Sequence, residues 1–429
     1  MEDFITYIWK HKLTGRRLRT ATGETVEILD YGYADKSDAK RFKSCRIMVD
    51  GRPLCGEITM TGNGACHTYK KEAVDATESV LFTAYIEDPI TQNENKGVCT
   101  ELFLHFPKMV AEEFCSAAER KERLQCHSCI AELPALQLHS IMERLLMERL
   151  EEKAAVARRF LEGCDGKWEE AFMKLVMRSF GFGIQSAAFE EWAELVDMTA
   201  IAKHRNNTVQ VEAILFGQAG LLEEESIPYY YIESAKSSAY YNELVREYRF
   251  LEKKFALKRV KHTIWGYGNN TPHIRIARIA SIIGQGKLTL SGVCNAETLT
   301  GLYGMLEAPL YGYWHNHTCF GGTETLGNGN LSQRHADIIT INAIVPILFV
   351  YGKHNRDERL CGKAEDFLHW IKGEENSITR RWKAEGVAVE CAADSQALIQ
   401  LNKRYCTKNN CMECGFAYFY IRQRLQDYR

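Results

Sequence analysis

The sequence lacks the features that would assign it at once to a common functional class. Its 429 residues carry a formal net charge of only -2, which argues against a surface coated with basic residues. Any contact with nucleic acid must therefore come from a local basic patch. No GxxxxGK[ST] loop, HExxH helix or GxSxG elbow occurs, so nucleoside triphosphatase, zincin and α/β-hydrolase activities have no support.

Signals for export and for membrane insertion are also missing. The first residues, MEDFITYIWKHKL, begin with acidic side chains and contain no apolar stretch followed by a small-residue cleavage site. A run of eighteen apolar residues, long enough to cross a bilayer, does not occur. We therefore expect a cytoplasmic protein that does not bind membranes.

Cysteine, by contrast, is abundant. The chain has 15 cysteines, and because this number is odd and no export signal is present, we expect no disulfide framework. A C-x4-C-x2-C pattern near the end predicts a zinc ion or an iron-sulfur cluster on three thiols, Cys406, Cys411 and Cys414. The fourth ligand has several candidates far away in the sequence: Cys126, Cys129, Cys361 and Cys391. The alternative is that these residues are buried free thiols.

The hydrophobic pattern changes near residue 108. Short strand-like segments precede this point, and helical segments of ten or more residues follow it almost to the end of the chain. The pattern predicts an α+β protein with a mixed α/β domain over residues 1–107 and a large all-helical domain over residues 108–429.

A predicted β-hairpin lies at the centre of the first domain. Apolar and polar residues alternate from Cys45 to Val49, Asp50-Gly51 forms the two-residue turn, and residues 54–60 form the return strand. The return strand carries Glu57, which is a candidate catalytic carboxylate. The alternative is that Glu57 is an ordinary polar strand residue.

Residues 207–222, NTVQVEAILFGQAGLL, predict a central buried helix that begins at the capping residue Asn207. A charged side chain inside such a helix requires a partner. We interpret Glu212 as one member of an internal ion pair with Arg275 or Arg278, and a polar pocket is the alternative.

Basic and aromatic residues interleave over residues 240–260. Such a segment can hold a phosphate backbone and stack bases, and its predicted contacts are Arg246, Arg249, Lys253 and Lys254. The alternative is an amphipathic helix with a charged outer face, because several glutamates dilute the positive charge. A second motif, the Gly-rich segment 311–330, holds His315, His317 and Cys319, which could bind a metal or belong to an ordinary loop.

Several segments together resemble an uncharacterised bacterial family, DUF2851, over nearly the whole chain. The resemblance is carried in order by IWKHKL, CRIMVDG with GEI, LLMERLEEK, RSFGFG, KHRNNTVQVEAILFGQAGLL, EYRFLEKKF, PHIRIARIA, INAIVPILFVYGKH, NSITRRW, DSQALIQL and the final cysteines. The family pattern near the N-terminus, Gly-Pro-Asp-Phe followed by a hairpin and Val-Glu-Ile-His, is similar to that of the PD-(D/E)xK nucleases. Those enzymes hold a divalent metal between two carboxylates on neighbouring strands.

The resemblance implies that the nuclease site is degenerate in this chain. Residues 39–42 stand at Gly-Pro-Asp-Phe, so Arg41 replaces the expected Asp, and Thr59 replaces the expected His. His67 alone remains in the region where the family pattern has a Trp and paired histidines. Our first hypothesis is a non-catalytic, nuclease-like protein that binds nucleic acid through Lys40, Arg41 and the 246–261 segment.

Two other hypotheses remain. An active nuclease would hold Mg²⁺ with Glu57 and a displaced carboxylate such as Asp38. A protein scaffold with no nucleic-acid role would scatter the Lys and Arg residues named above over different faces.

Overall fold

The structure is a computed structural model. It describes residues 2–20, 24–35, 37–60, 80–86, 100–104, 110–112, 114–115, 126, 130, 133–182, 185–261, 271–323 and 331–426. The chain divides into two compact units. The sheet unit comprises Met1–Met142, Arg380–Val387 and Leu398–Arg429, and the helical unit comprises Glu143–Thr379 and Ala388–Ala397. The predicted boundary at residue 107 falls outside the described residues.

The sheet unit is built on helix α1 (Glu2–Lys10) and a mixed sheet. Its strands are β1 (Arg17–Thr20), β2 (Thr25–Asp30), β3 (Tyr33–Ala34), β4 (Arg41–Val49), β5 (Arg52–Met60), β6 (Val80–Ile86) and β7 (Thr100–Leu104). The order is β2-β1-β7-β6-β5-β4-β3, and β2 also pairs with β4. The strands β1, β2, β4, β5, β6 and β7 therefore form a closed ring, with β3 beside β4. The pairs β5–β6 and β6–β7 are parallel, whereas the other pairs are antiparallel.

The predicted hairpin is confirmed as β4 and β5. Asp50 and Gly51 both have positive φ, 42° and 80°, as a type I′ turn requires. Alternate residues of the two strands, including Ile47 and Ile58, are buried against Trp9 of α1 in one apolar core. Burial of this face sets the register, because a shift by one residue would expose it.

The helical unit contains most of the remaining helices. They are α2 (Ala135–Gly163), which begins in the sheet unit, α3 (Trp168–Ser179), α4 (Ser186–Leu195), α5 (Met198–His204), α6 (Thr208–Gln218), α7 (Ile232–Ser237), α8 (Ala239–Phe255), α9 (Pro272–Gln285), α10 (Leu290–Asn295), α11 (Leu299–Met305), α12 (Gln333–Ile339), α13 (Val345–Asn355) and α14 (Glu358–Trp370). The next two helices begin in the helical unit and end in the sheet unit: α15 (Ser377–Ala384) and α16 (Ala392–Gln400). A short hairpin pairs β8 (His317–Cys319) with β9 (Gly322–Thr323), and α17 (Gly415–Gln426) ends the described chain. The predicted α+β class is confirmed.

Helix α6 is the central buried helix that the sequence predicts. The side chain of Asn207 accepts a hydrogen bond from the Gln210 N–H at 3.2 Å, so Asn207 is the N-cap. Helix α8 packs on α6 where Gly217 meets Tyr248: a Cβ at Gly217 would lie 2.1 Å from the ring of Tyr248. The close approach of the two helices therefore depends on the missing side chain.

A long apolar helix runs from Gln333 to Asn355, and its hydrogen-bonding pattern changes in the middle. Residues 340–344 form a π-helical turn between α12 and α13, just before Pro346. Proline cannot donate a hydrogen bond within a helix and clashes with the preceding turn, so a local change of winding is expected there. By length and composition this helix could cross a membrane, but 72% of its apolar window is buried inside the protein, as in a core helix.

Candidate functional site

The predicted nuclease residues lie on β4, β5 and the preceding turn. Arg41 pairs with Thr59, whereas the adjacent pair Phe42 and Ile58 is buried in the core. The side chains of Arg41, Glu57 and Thr59 therefore lie on the opposite face of the sheet. The expected second carboxylate is replaced by a cation at this position.

A second cation, Lys43, interacts with Glu57. Its Nζ lies 2.7 Å from the Asp35 carboxylate, and this hydrogen bond, with a smaller effect of Glu57, raises the pKa of Lys43. The hydrogen bonds from Lys43 and Ser37 lower the pKa of Asp35. Asp35 is therefore the main partner of Lys43, and Glu57 contributes less.

Asp38, the proposed substitute ligand, has a turn-forming role. Its carboxylate accepts the Lys40 N–H at 3.0 Å, and its carbonyl oxygen accepts the Arg41 N–H at 3.0 Å. These bonds position Lys40 and Arg41 at the start of β4. Within the described ranges, no group of three His, Cys, Asp or Glu residues is arranged to hold a single metal ion.

The predicted basic contacts on α8 lie along one face. Leu244, Tyr248 and Leu251 are buried, and the opposite side of the helix carries the exposed residues Arg246, Arg249, Phe250, Lys253 and Lys254. Arg246 is 73% exposed and lies 3.7 to 3.9 Å from the carboxylates of Glu247 and Glu243. Among the described residues, no salt bridge occupies Arg249, Lys253 or Lys254.

An aromatic side chain lies within this basic face. Phe250 is 57% exposed, and the Lys254 Nζ is 5.6 Å from its ring centroid. The ring of Phe255 lies 5.1 Å from the Lys254 Nζ and 5.3 Å from the Lys203 Nζ. Sequence reasoning missed Lys203 because it belongs to α5, on a different segment. We call Lys203, Arg246, Arg249, Phe250, Lys253 and Lys254 the α8 surface.

The three C-terminal cysteines lie in two short helical turns and interact electrostatically with Cys126. Cys406 ends the π-helical turn Leu401–Cys406, and Cys414 follows the 3-10 turn Cys411–Glu413, where its N–H donates to the Cys411 carbonyl at 3.0 Å. Burial raises the pKa of the Cys126 thiol, and so do the thiols of Cys414, Cys406 and Cys411. The cysteines that the structure describes are all free of disulfides.

The other candidate ligands do not join this group. Cys361 and Cys391 belong to the helical unit, where Cys391 Sγ donates to the Asp394 carboxylate at 3.3 Å and Cys361 Sγ donates to a carbonyl of α13. Cys129 lies outside the described residues, as does His67. In the 311–330 segment, His317 stacks on Tyr313 with 3.7 Å between centroids.

The predicted ion pair of Glu212 with an arginine is wrong. Glu212 accepts a hydrogen bond from the Tyr240 hydroxyl at 2.7 Å. Arg275 donates to the Phe180 carbonyl at 3.0 Å and Arg278 to the Ala308 carbonyl at 3.1 Å. Burial raises the pKa of Glu212 to about 7, so the side chain need not be charged. A neutral hydroxyl is therefore a sufficient hydrogen-bond partner for Glu212.

A known protein family matches most of the chain. The family described as "Protein of unknown function (DUF2851)" matches residues 2–377. The chain belongs to the DUF2851 family. No curated protein matches the chain, and no solved structure matches it. The DUF2851 region covers β4, β5 and the α8 surface, but Cys406, Cys411 and Cys414 follow its end.

The helical unit contains a polar cluster that sequence reasoning missed. The Lys153 Nζ donates to Asn342 Oδ1 at 2.5 Å, from α2 to the π-helical turn. Burial lowers the pKa of Lys153 to about 7, and the positive charges of Arg149 and Arg178 contribute. Arg149 donates to Gln396 Oε1 at 3.1 Å. The available signal was the occurrence of Arg149 and Lys153, four residues apart, within the apolar stripe of α2.

Proposed function

We propose that this protein binds nucleic acid without cleaving it, and that the α8 surface is a principal contact. The observation that carries the proposal is the arrangement of Arg246, Arg249, Lys253 and Lys254 on one exposed face. An amphipathic helix turns its charged residues to solvent whatever its role, so the shared face alone does not separate binding from the scaffold hypothesis. Binding is favoured because, among the described residues, no carboxylate forms a salt bridge with Arg249, Lys253 or Lys254.

The chemistry of the α8 surface suits a flexible single strand. Exposed ammonium and guanidinium groups attract phosphates, and an exposed aromatic ring offers a platform on which a base can stack. Phe250 supplies such a ring beside Lys254, and Lys203 extends the positive charge onto α5. Lys253 and Lys254 also lie in the last turn of α8, where cations are favoured by the helix dipole.

The residues of β4 and β5 disfavour cleavage. A hydrolytic metal site of the PD-(D/E)xK type needs two carboxylates, whereas Arg41 stands at one of the expected positions and Lys43 interacts with Glu57. We infer a nuclease-like ancestry with a degenerate site, in which Lys40 and Arg41 form a second phosphate contact. The alternative, catalysis through Glu57 and Asp38, has the turn hydrogen bonds of Asp38 against it.

The proposal is tested by equilibrium binding of the full chain to single- and double-stranded DNA and RNA oligonucleotides at several salt concentrations. We expect binding at low salt, with affinity falling as salt rises. Each phosphate contact contributes roughly 0.7 to the logarithmic salt slope for a single strand and roughly 0.9 for B-DNA. Absence of binding at low salt would contradict the proposal.

Variants locate the contact. K253Q/K254Q should reduce the salt slope by about 1 to 2 for a single strand if both lysines meet phosphates. F250A should weaken single-strand binding by about 1–3 kcal/mol with little change in the salt slope, because stacking is lost. The matched control K236Q/R359Q removes two cations that already pair with Glu224 and Asp357, and it should leave binding unchanged.

The alternatives give different results. Unchanged binding in K253Q/K254Q, with loss in K40Q/R41Q, would move the contact to the start of β4 and contradict the role of the α8 surface. Cleavage that requires Mg²⁺ and disappears in E57A would replace the proposal with the active-nuclease hypothesis.

A further inference from the structure

A histidine lies between two residues of the α8 surface. His204 ends α5 directly after Lys203, and the Lys254 Nζ on α8 lies 3.4 Å from its Nε2 atom. The ammonium groups of Lys203 and Lys254 lie 5.3 Å and 5.1 Å from the ring centroid of Phe255. The imidazole packs edge-on against the same ring, with 5.6 Å between centroids. Three basic side chains from two helices therefore surround one aromatic ring.

Hydrogen bonds fix which ring nitrogen of His204 carries the hydrogen. The Gln210 Nε2 donates to the Glu247 carboxylate at 3.0 Å, and this bond orients the amide, because an ionised carboxylate only accepts. Gln210 therefore turns its oxygen to His204, whose Nδ1 lies 2.5 Å from it. Since an amide oxygen cannot donate, Nδ1 carries the hydrogen.

The other ring nitrogen, Nε2, accepts from Lys254. An ammonium group can only donate, so the 3.4 Å contact requires a ring without a proton on Nε2. Protonation of Nε2 would leave two donors facing one another. An anion between them satisfies both, and a phosphate oxygen accepts such charge-assisted hydrogen bonds. Once His204 is protonated, it and Lys254 have the donors of one phosphate contact.

The charges of two lysines oppose this protonation in the free protein. Lys203 and Lys254 are exposed cations, and in the described ranges neither forms a salt bridge. A positive charge nearby disfavours a further one on His204. A phosphate bound between the two ammonium groups neutralises them and removes this opposition. Phosphate binding and protonation of His204 therefore favour each other.

The other charges near His204 are the same with and without a phosphate. The guanidinium of the next residue, Arg205, is turned to Gly286, where it would overlap an added Cβ. From α6 the imidazole meets the neutral amide of Gln210. From α8 the Glu247 carboxylate acts through this amide and favours a positive ring in both states.

We propose that His204 is a further phosphate contact of the α8 surface, and that it takes up a proton from the solvent when nucleic acid binds. The new N–H on Nε2 then donates to the phosphate that Lys254 also contacts. This inference rests on the proposed binding of nucleic acid at the same surface. Because linkage is reciprocal, a phosphate that favours the protonated ring is itself bound more tightly by it. Acid should therefore strengthen binding.

The test measures proton uptake when the full chain binds an oligothymidylate without terminal phosphates. This probe does not titrate between pH 5.5 and 8, so any proton taken up belongs to the protein. Calorimetry in two buffers with different heats of ionisation counts the protons. We expect up to about one proton per complex, and an affinity that rises as pH falls by up to about tenfold per pH unit. The salt slope should increase by roughly 0.7 at low pH, because the protonated ring adds one contact.

Variants at position 204 assign the proton. H204Q cannot be protonated and H204K is charged throughout this pH range, so neither should take up a proton. The salt slope of H204K should exceed that of H204Q by roughly 0.7. The matched control H315Q removes an exposed histidine from the turn at 312–315 and should keep the uptake and the pH dependence of the wild type.

The outcomes separate this inference from the proposed function. Salt-dependent binding without proton uptake would overturn the inference and leave the proposed function intact, whereas no binding at low salt at any pH would contradict both. Uptake that persists in H204Q would overturn the role of His204. If neither variant folds, the titration of the His204 ring resonances in the wild type decides: a midpoint that the oligonucleotide does not shift upwards would also overturn the inference.

Discussion

The hydroxyl of Tyr240 donates a 2.7 Å hydrogen bond to the buried carboxylate of Glu212. The same hydroxyl oxygen accepts the indole N–H of Trp314 at 2.9 Å. Around this chain of hydrogen bonds the packing is aromatic, with Phe216 5.0 Å from Trp314 between centroids. Burial also lowers the pKa of His273 to about 3, so the neighbouring imidazole is neutral. At this place in the helical unit the buried polar groups are therefore accommodated by disfavouring their charged forms.

The first prediction concerns Glu212 and pH. The pKa of Glu212 is about 7 in the folded protein and 4.5 in the unfolded chain, so the folded state holds the proton more tightly. Stability from this proton is complete below pH 4.5 and is lost as pH rises through 7, by up to about 3 kcal/mol. E212Q cannot ionise, so its stability relative to the wild type should rise over this range.

Denaturant unfolding at several pH values measures the difference between E212Q and the wild type. E243Q, at a half-exposed glutamate on α8, is the matched control and should show no such trend. A constant difference between E212Q and the wild type from pH 4.5 to 8 would show that the carboxylate does not titrate as its burial requires.

The second prediction concerns Lys153. Burial lowers its pKa from 10.5 to about 7, so the folded state disfavours the charged amine. Stability is present above pH 10.5 and falls as pH decreases towards 7, by up to about 5 kcal/mol. K153M removes this dependence but leaves Asn342 Oδ1 without its donor, which costs about 1–3 kcal/mol.

The measured quantity is the free energy of unfolding of K153M minus that of the wild type between pH 7 and 9.5. It should be most positive at pH 7 and should decrease as pH rises. K253M changes an exposed lysine on α8 and is the control. A difference that increases with pH would contradict the prediction.

The third prediction concerns the contact between α6 and α8. In G217A the new methyl group would overlap the ring of Tyr248, so we expect a loss of about 1–3 kcal/mol from overpacking. In G284A, on an open side of α9, no heavy atom of the described residues outside the neighbouring helix backbone lies within 4 Å of the added Cβ. That variant should gain about 0.5–1 kcal/mol from reduced backbone entropy in the unfolded state. Thermal unfolding of the two variants provides the comparison, and equal stabilities would refute the packing argument.

Local signals predicted the local structure correctly. The β4–β5 turn follows from Asp50-Gly51, and the start of α6 follows from Asn207, because a turn or a cap depends on neighbouring residues alone. The α8 face is likewise a consequence of helical spacing. Local signals could not predict the partner of Glu212. Charge complementarity suggested Arg275 or Arg278, whereas the hydrogen-bond partner is the phenol of Tyr240 on another helix.

The sequence by itself determined the α+β class, the hairpin, the capped central helix and the cysteine spacing, because periodicity and turn chemistry act over a few residues. Only the tertiary structure decided which distant groups meet: Lys203 with Phe255, Lys153 with Asn342, and Tyr240 with Glu212. The physical reason is that packing energy depends on the whole set of buried surfaces. When two residues lie far apart in the chain, the sequence around each of them does not indicate that they will be in contact.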